Sequence, residues 1–239
     1  MNKLLFTLLL LAVAFLLSCT SIERDSVCDE KSIYYNGCVV GVSSSSGPSG
    51  GKGNNILNYR IVQIGNQTWM AENFNYVYGN GVCYNNDESS CTIYGRLYDW
   101  ATAMALPSMC NYSICASQID AKHKGICPVG WHIPSDADWA TLIASVGETS
   151  TAGTKLKAME RWDGNGNGTD EFGFAALPGG HGYSGSNVFS SVGTIGYWWS
   201  ASEDNGDNAY YRSINYNRER VDLSSGGKID LRSIRCVKD

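Results

Sequence analysis

The sequence predicts an α+β fold that is loop-rich, with short strands, two or three helices and several disulfides. Three observations lead there. The chain carries 27 glycines, 14 tyrosines and seven tryptophans with few long helical patterns, which favours many short elements joined by turns. One helix is nevertheless written plainly, over residues 135–146. The third is cysteine usage: of nine cysteines, all but Cys19 form an even set suited to pairing in an oxidising compartment.

The helix belongs to the stretch around which the rest is organised, C-P-V-G-W-H-I-P-S-D-A-D-W-A-T-L-I-A-S-V at residues 127–146. An extended run over residues 130–134 feeds straight into it. Ser135 is placed to cap the helix, since its hydroxyl can accept from an amide that has no partner inside the helix. Asp138 can reach back to the cap's own N–H, a capping box whose carboxylate also suits the positive helix end. Pro134 is placed to pack on Trp139. Trp139, Leu142, Ile143 and Val146 fall on one apolar stripe, and Gly147 ends the helix.

Read from its start, the chain divides into four parts. Lys3 precedes an apolar run at residues 4–17, too short to span a membrane and suited to a signal-peptide core, so residues 1–18 are read as a signal peptide. Leu16-Leu17-Ser18-Cys19 resembles the bacterial lipobox, in which the cysteine is acylated and becomes the new N-terminus. Several acyl chains on one cysteine hold a protein firmly to a bilayer. Thr20, in place of an aspartate, carries no retention signal for an inner membrane, so an outer-membrane lipid anchor is expected. Residues 19–42 form a cysteine-bearing segment. Residues 43–57 read as a Gly/Ser-rich linker. The domain proper covers residues 58–239.

Within it, Gly65-Asn66 separates two strand-like runs, 59–64 and 67–70, and signals a β-hairpin. Residues 97–106 read as a helix with Leu97, Trp100, Ala101 and Met104 on one face. A short helix is expected over residues 153–159. Strands are expected at 196–202, 209–215 and 229–237, with another at 218–223. Proximity pairs Cys28 with Cys38, Cys83 with Cys91 and Cys110 with Cys115, leaving Cys127 for Cys236. No C-x-x-C pair is present to favour zinc. A formal charge of −5 without a basic cluster makes nucleic acid an unsuitable partner.

Six blocks taken in order resemble one family, the Fibrobacter succinogenes major paralogous domain. They are V-Q-I-G-N-Q-T-W-M-A-E-N (62–73), Y-G-R-L-Y-D-W (94–100), C-P-V-G-W-H-I-P-S-D-A-D-W (127–139), D-E-F-G-F-A-A-L-P-G-G (170–180), Y-W-W-S-A-S-E (197–203) and S-I-R-C-V-K-D (233–239). The resemblance implies a bacterial secreted or lipid-anchored protein. More distantly, G-W-H-I-P-S-D-A-D-W and the closing R-C-V are similar to segments of formylglycine-generating proteins. Both likenesses imply a C-type-lectin-like α+β fold, in which N- and C-terminal strands pair and a disulfide clasps helix to sheet. Fold alone does not give function.

Three constellations could carry chemistry. Cys110 and Cys115 have the C-x4-C spacing of the copper-binding cysteines of formylglycine-generating enzymes, but they precede the G-W-H-I-P-S block instead of following it, and a local disulfide is the plainer reading. Asp163, Asn165 and Asn167, with Gly168, copy the first half of a calcium loop. Phe174 stands where the closing carboxylate belongs, so Asp170 and Glu171 would have to substitute; the plainer reading is a Gly/Asn-rich turn. Lastly, Trp162, Tyr183, Trp198, Trp199, Tyr210 and Tyr211 gather in the glycine-rich half near His181, Glu203 and Asp204. Adjacent strand residues face opposite sides, so one of Trp198 and Trp199 is expected in the core and the other outside.

The sequence contains no Ser-His-Asp spacing, phosphate loop or H-E-x-x-H, and Glu203 and Asp204 point apart on a strand. The expectation is a non-enzymatic, lipid-anchored surface domain that binds a polysaccharide or a surface protein. Its ligand would meet Trp162, His181, Tyr183 and the outward member of Trp198/Trp199, with calcium at Asp163, Asn165, Asn167, Asp170 and Glu171 ordering the surface. The alternatives are a structural or adhesive module without a small-ligand site and, more remotely, a copper oxidase of formylglycine-generating type.

Overall fold

The computed structural model describes residues 58–239. Cys19, Cys28, Cys38, the signal peptide and the linker all lie outside the described residues. The described part is an α+β domain built on two sheets. Among the described residues no helix is long and apolar enough to cross a membrane.

The chain begins with the hairpin announced by Gly65-Asn66. Strands β1 (Ile61–Ile64) and β2 (Gln67–Met70) pair antiparallel, with Ile64 opposite Gln67. Gly65 takes φ +58°, a conformation L side chains rarely adopt, and a Cβ there would collide with Ser145. β2 then pairs with the last strand, β11 (Val237–Lys238), and β11 with β4 (Trp131–His132), giving the four-stranded order β1-β2-β11-β4. The pairing of terminal strands is the one the family resemblance implies.

The larger sheet has the order β3-β10-β5-β7-β8-β9 with β6 beside β5. Its strands are β3 (Leu97–Tyr98), β5 (Gly179–Tyr183), β6 (Phe189–Val192), β7 (Ile195–Glu203), β8 (Asn208–Asn215), β9 (Val221–Gly227) and β10 (Asp230–Ser233). Four helices complete the domain: α1 (Glu88–Tyr94), α2 (Trp100–Ala103), α3 (Asp136–Val146) and α4 (Ala152–Leu156).

The central helix α3 is as the sequence writes it. Ser135 Oγ accepts from the Asp138 amide at 3.2 Å, and Asp138 Oδ2 accepts from the Ser135 amide at 2.9 Å. Trp139, Leu142, Ile143 and Val146 are buried. Arg212 of β8 holds Asp136 in the first turn at 2.5 Å, and the Ala201 amide of β7 donates to Pro134 O at 2.9 Å, so the helix start is fixed to the large sheet.

Four expected elements differ. Residues 97–106 are not one helix. Leu97 and Tyr98 pair with Ser233 and Arg232 as a strand, and the Asp99 carboxylate accepts from the Thr102 amide, capping a helix of a single turn. Ala105 at φ +54° ends it. The apolar residues named for that face are still all buried. Residues 229–237 divide into β10 and β11, which lie in different sheets, with Arg235 turned inward between them. Residues 177–181, L-P-G-G-H, read as a loop, yet Gly179–Tyr183 form strand β5. Gly180 sits in it at φ +66°, and a Cβ would strike the backbone of Ser190 and Val192 in β6. The short second helix spans Ala152–Leu156, because Lys157 turns extended and drives Nζ to the carbonyls of Tyr216 and Arg218, each at 3.2 Å.

Two cores sandwich the large sheet. One gathers Tyr98, Trp100, Trp199 and the bridges Cys110–Cys115 and Cys127–Cys236. The other gathers Trp69, Trp139, Phe174 and Trp198 beside the α3 stripe. The third bridge, Cys83–Cys91, closes α1 onto the preceding turn. Cys127–Cys236 spans 109 residues, a loop whose closure removes about 4–5 kcal/mol of unfolded-state entropy in a chain-entropy account.

His132 ties the small sheet to the helix. Its Nδ1 lies 2.8 Å from Asp239 Oδ1, and its Nε2 is 3.4 Å from Asp138 Oδ2, close enough for charge attraction though not aligned as a hydrogen bond. Burial alone would push this imidazole down, but the two carboxylates hold it above its ordinary value.

Candidate functional site

The alternation expected at Trp198 and Trp199 holds, yet neither ring reaches solvent. Each enters a different core, at 1% and 0% exposure. Trp198 Nε1 donates to Asn73 Oδ1 at 2.8 Å and Trp199 Nε1 to Tyr98 O at 2.9 Å. Trp162 is likewise core, with Nε1 on Ala176 O at 3.0 Å and Lys157 over its ring. These three are therefore corrected from ligand contacts to packing residues. The physical reason is that β7 is covered on both faces, so an outward position in the pleat is not an exposed one.

His181 and Tyr183 have a different setting. Both lie on β5, two residues apart and so on one face. Tyr183 is 44% exposed and His181 is half-buried. Across the sheet, β7 contributes Tyr197 and β8 contributes Tyr211. Ring centroids step from Tyr183 to His181 at 5.1 Å, from His181 to Tyr197 at 5.0 Å and from Tyr197 to Tyr211 at 5.8 Å, each pair edge-on. The first step runs along β5; the next two, close to the spacing between neighbouring strands, cross the sheet, so the four rings make a continuous row. Tyr197 has the same parity on β7 as buried Trp199, but it lies nearer the strand's start, where the first core no longer covers the sheet.

Arg232 of β10 underlies the row. Its guanidinium carbon is 4.1 Å from the ring centres of both Trp199 and Tyr211, and NH2 meets Asp230 Oδ2 at 2.9 Å. Beside the row, β7, β8 and β9 enclose a groove of about 380 Å³. Tyr197 and Tyr211 form one wall, Ser213, Asn215 and Ser224 offer hydroxyl and amide groups, and Arg218 and Arg220 stand at the far side with Asp222.

Burial disfavours the charged forms of His181 and Tyr197. Burial pushes the His181 imidazole below its ordinary value, and the neighbouring Arg232 charge pushes the same way against Asp230. Burial raises the Tyr197 phenol, against a hydrogen bond from Ser191. The row offers ring faces with a hydrogen-bonding imidazole and phenols, which is suited to stacking and hydroxyl recognition.

The calcium-type segment is used otherwise. Asn167 Oδ1 accepts from the Trp162 amide at 3.0 Å, and Asp170 Oδ1 from the Ala175 amide at 2.7 Å. Glu171 lies 3.8 Å from Lys155 Nζ. Asn165 sits at φ +61°, and the Asp163 amide donates to Gly193 O at 2.9 Å. Asp163, Asp170 and Glu171 do not converge. Among the described residues, the one group of three potential ligands is Cys83, Glu88 and Cys91, whose two sulfurs are bonded to each other while Glu88 holds Arg96.

Glu203 and Asp204 also separate. Glu203 is buried against Lys228, Nζ to Oε1 at 2.5 Å, and accepts from the Cys115 amide at 2.9 Å, pinning the Cys110–Cys115 loop. Asp204 lies at the surface beside Tyr210, whose phenol it raises.

The Fibrobacter succinogenes major domain matches residues 62–238. The chain belongs to that family. The match takes in every strand and helix of the described domain but for the first residue of β1, so the aromatic row and the groove are features of the family domain itself in this chain. No curated protein and no solved structure matches.

Sequence reasoning reached two of the four rings, His181 and Tyr183. It placed Tyr211 nearby and missed Tyr197 and Arg232. The signal for Tyr197 is its i, i+2 relation to Trp199; that for Arg232 is an arginine alternating with apolar residues in a strand.

The depressed His181 implies a definite pH dependence. A histidine that binds its proton less readily in the folded than in the unfolded chain contributes full stability above its ordinary pKa of about 6.5, and loses it as pH falls through that value towards the folded one. Thermal melts of His181→Gln and the unsubstituted domain are expected to diverge between about pH 7 and pH 5, the substituted one losing less on acidification. Parallel curves would contradict this environment for His181.

Proposed function

We propose that this domain is a non-enzymatic, surface-associated binding module, and that its ligand is a carbohydrate lying on the Tyr183–His181–Tyr197–Tyr211 row. The observation that carries this reading is the row itself: partly exposed rings in a line, continuous with a groove edged by serine, asparagine and arginine side chains. Sugar rings present apolar C–H faces and a rim of hydroxyls, which such a surface matches. Aromatic contacts of this kind contribute about 0.5–1.5 kcal/mol each beyond area burial. Family membership fits a surface-associated domain. In the same reading, acylated Cys19 holds the domain at the outer membrane with residues 43–57 as a spacer.

A second reading has an observation of its own. Met109, Tyr112 and Ile114 are 65%, 68% and 72% exposed on the loop stapled by Cys110–Cys115, an apolar knob suited to an adhesive protein contact. The copper-oxidase reading has less support, because Cys110 and Cys115 precede the G-W-H-I-P-S block instead of following it.

Two measurements test the proposal. Glycan-array binding is expected for the unsubstituted protein and is expected to fall about tenfold or more in Tyr183→Ala, an exposed change that should alter stability by no more than about 0.5 kcal/mol. Undiminished binding in the variant removes the row from the site. For the anchor, Cys19→Ala is expected to shift the protein from the membrane pellet to the soluble fraction; continued pelleting after a carbonate wash contradicts lipidation.

A further inference from the structure

The groove beside the row has a charge arrangement that the aromatic face alone does not require. Arg218 NH1 reaches Asp222 Oδ2 at 3.1 Å, and Arg220 Nε reaches Asp222 Oδ1 at 2.5 Å. Two guanidiniums therefore share one carboxylate. Asp222 is directly opposite Ser213 in the β8–β9 register and only 20% exposed, whereas the arginine side chains are 53% and 56% exposed. The carboxylate is thus the fixed partner and orients both arginines from below. Each guanidinium carries five donors and gives one to Asp222 in these contacts, so most of both forks remain open for a ligand. Glu219, the other acid of this turn, lies where its charge acts on Lys157.

The lining of the groove therefore has a positive excess, within a chain whose formal net charge is −5. Bulk attraction of polyanions is not expected of such a chain, so an acidic ligand would have to be read locally. A planar carboxylate fits a guanidinium fork edge-on, and such charge-assisted pairs are about twice as strong as neutral ones. Tyr197 and Tyr211 border the same groove, and Ser213, Asn215 and Ser224 supply groups for hydroxyls.

Resting on the carbohydrate reading above, we propose that the groove takes a uronic-acid unit, its carboxylate held by Arg218 and Arg220 while its ring lies against Tyr197 and Tyr211. Acidic polysaccharide is the ligand class this specifies.

The experiment is calorimetric titration of the full chain in detergent micelles with oligogalacturonate and with the same oligomer fully methyl-esterified, dextran sulfate serving as a charge control. The free acid is expected to bind about tenfold or more tightly than the ester, and Arg218→Gln/Arg220→Gln is expected to abolish that difference while leaving the melting temperature in place. Dextran sulfate is expected to bind more weakly than the free acid. Equal binding of acid and ester, or an acid preference that survives in the double variant, overturns the inference. Dextran sulfate binding as tightly as the free acid overturns it too, since charge alone would then suffice. If a neutral glycan binds in a Tyr183-dependent way while oligogalacturonate does not, the inference falls and the carbohydrate reading stands. If no glycan of either kind binds, both fall.

Discussion

The structure depends on an arginine buried with no carboxylate in contact, the Asp170 charge acting on it only from a distance. Arg235 has 0% exposure, and burial lowers its pKa to about 9, so the side chain still enters the interior charged at neutral pH. An uncompensated buried charge costs several kcal/mol. Here it is met by acceptors and rings: Arg235 donates to the carbonyls of Phe174 and Ala175 and to Asn73 Oδ1, and stacks 4.2 Å over Phe174. Asn73 closes the node. Its amide oxygen takes one hydrogen bond from Arg235 at 2.7 Å and one from Trp198 at 2.8 Å, filling both lone pairs, and its amide nitrogen donates to Tyr94 O. The residue just past β2, the strand β7 and the segment joining β10 to β11 thereby meet at one point, with Cys127–Cys236 immediately beside it.

That constraint explains where a binding surface is left. Because the node draws Trp198 to one side of β7, pleating sends Trp199 to the other, and each indole is then sealed by its own core. The middle of the large sheet is used up in this way. Towards the start of β7 the cover thins, and there the same face that holds Trp199 presents Tyr197, His181 and Tyr183. Arg232 lies beneath the transition and repeats the logic of Arg235 more mildly, since it has Asp230 as a counter-charge. Family membership, the buried node and the open row belong to one arrangement: the motif residues Asn73, Trp198 and Arg235 lock the scaffold, and the motif residue Tyr197 together with residues between the motifs edges the groove.

How much of this was legible in the sequence follows from how local each signal is. The capping box at Ser135 and Asp138, the Gly65-Asn66 turn and the helix stripe depend on neighbours a few residues apart, and all are found as read. The bridges Cys83–Cys91 and Cys110–Cys115 were legible from proximity, and Cys127–Cys236 as what remained. Period-two alternation said correctly that Trp198 and Trp199 diverge, but whether a face is solvent or core is decided by α3 and by Trp100, far away in sequence. Strand β5 was hidden because Gly179 and Gly180 read as a turn; their smallness serves the close approach of β6. Residues 97–106 gave the right apolar face and the wrong element, since Asp99 restarts the helix count where β3 ends. The first half of the calcium motif was real as a turn, and its Asn167 oxygen serves the chain's own Trp162 amide.

The central claim is that Asn73 couples both sheets through Arg235 and Trp198. Native-state hydrogen exchange of Asn73→Ala tests it most directly, because the substitution leaves a buried guanidinium and an indole N–H short of an acceptor, at a cost of about 3 kcal/mol or more. The account predicts that protection of the β1–β2 amides and of the β7–β8 amides falls together and by similar amounts. A loss confined to residues 71–75, with β7 and β8 as protected as before, would contradict it.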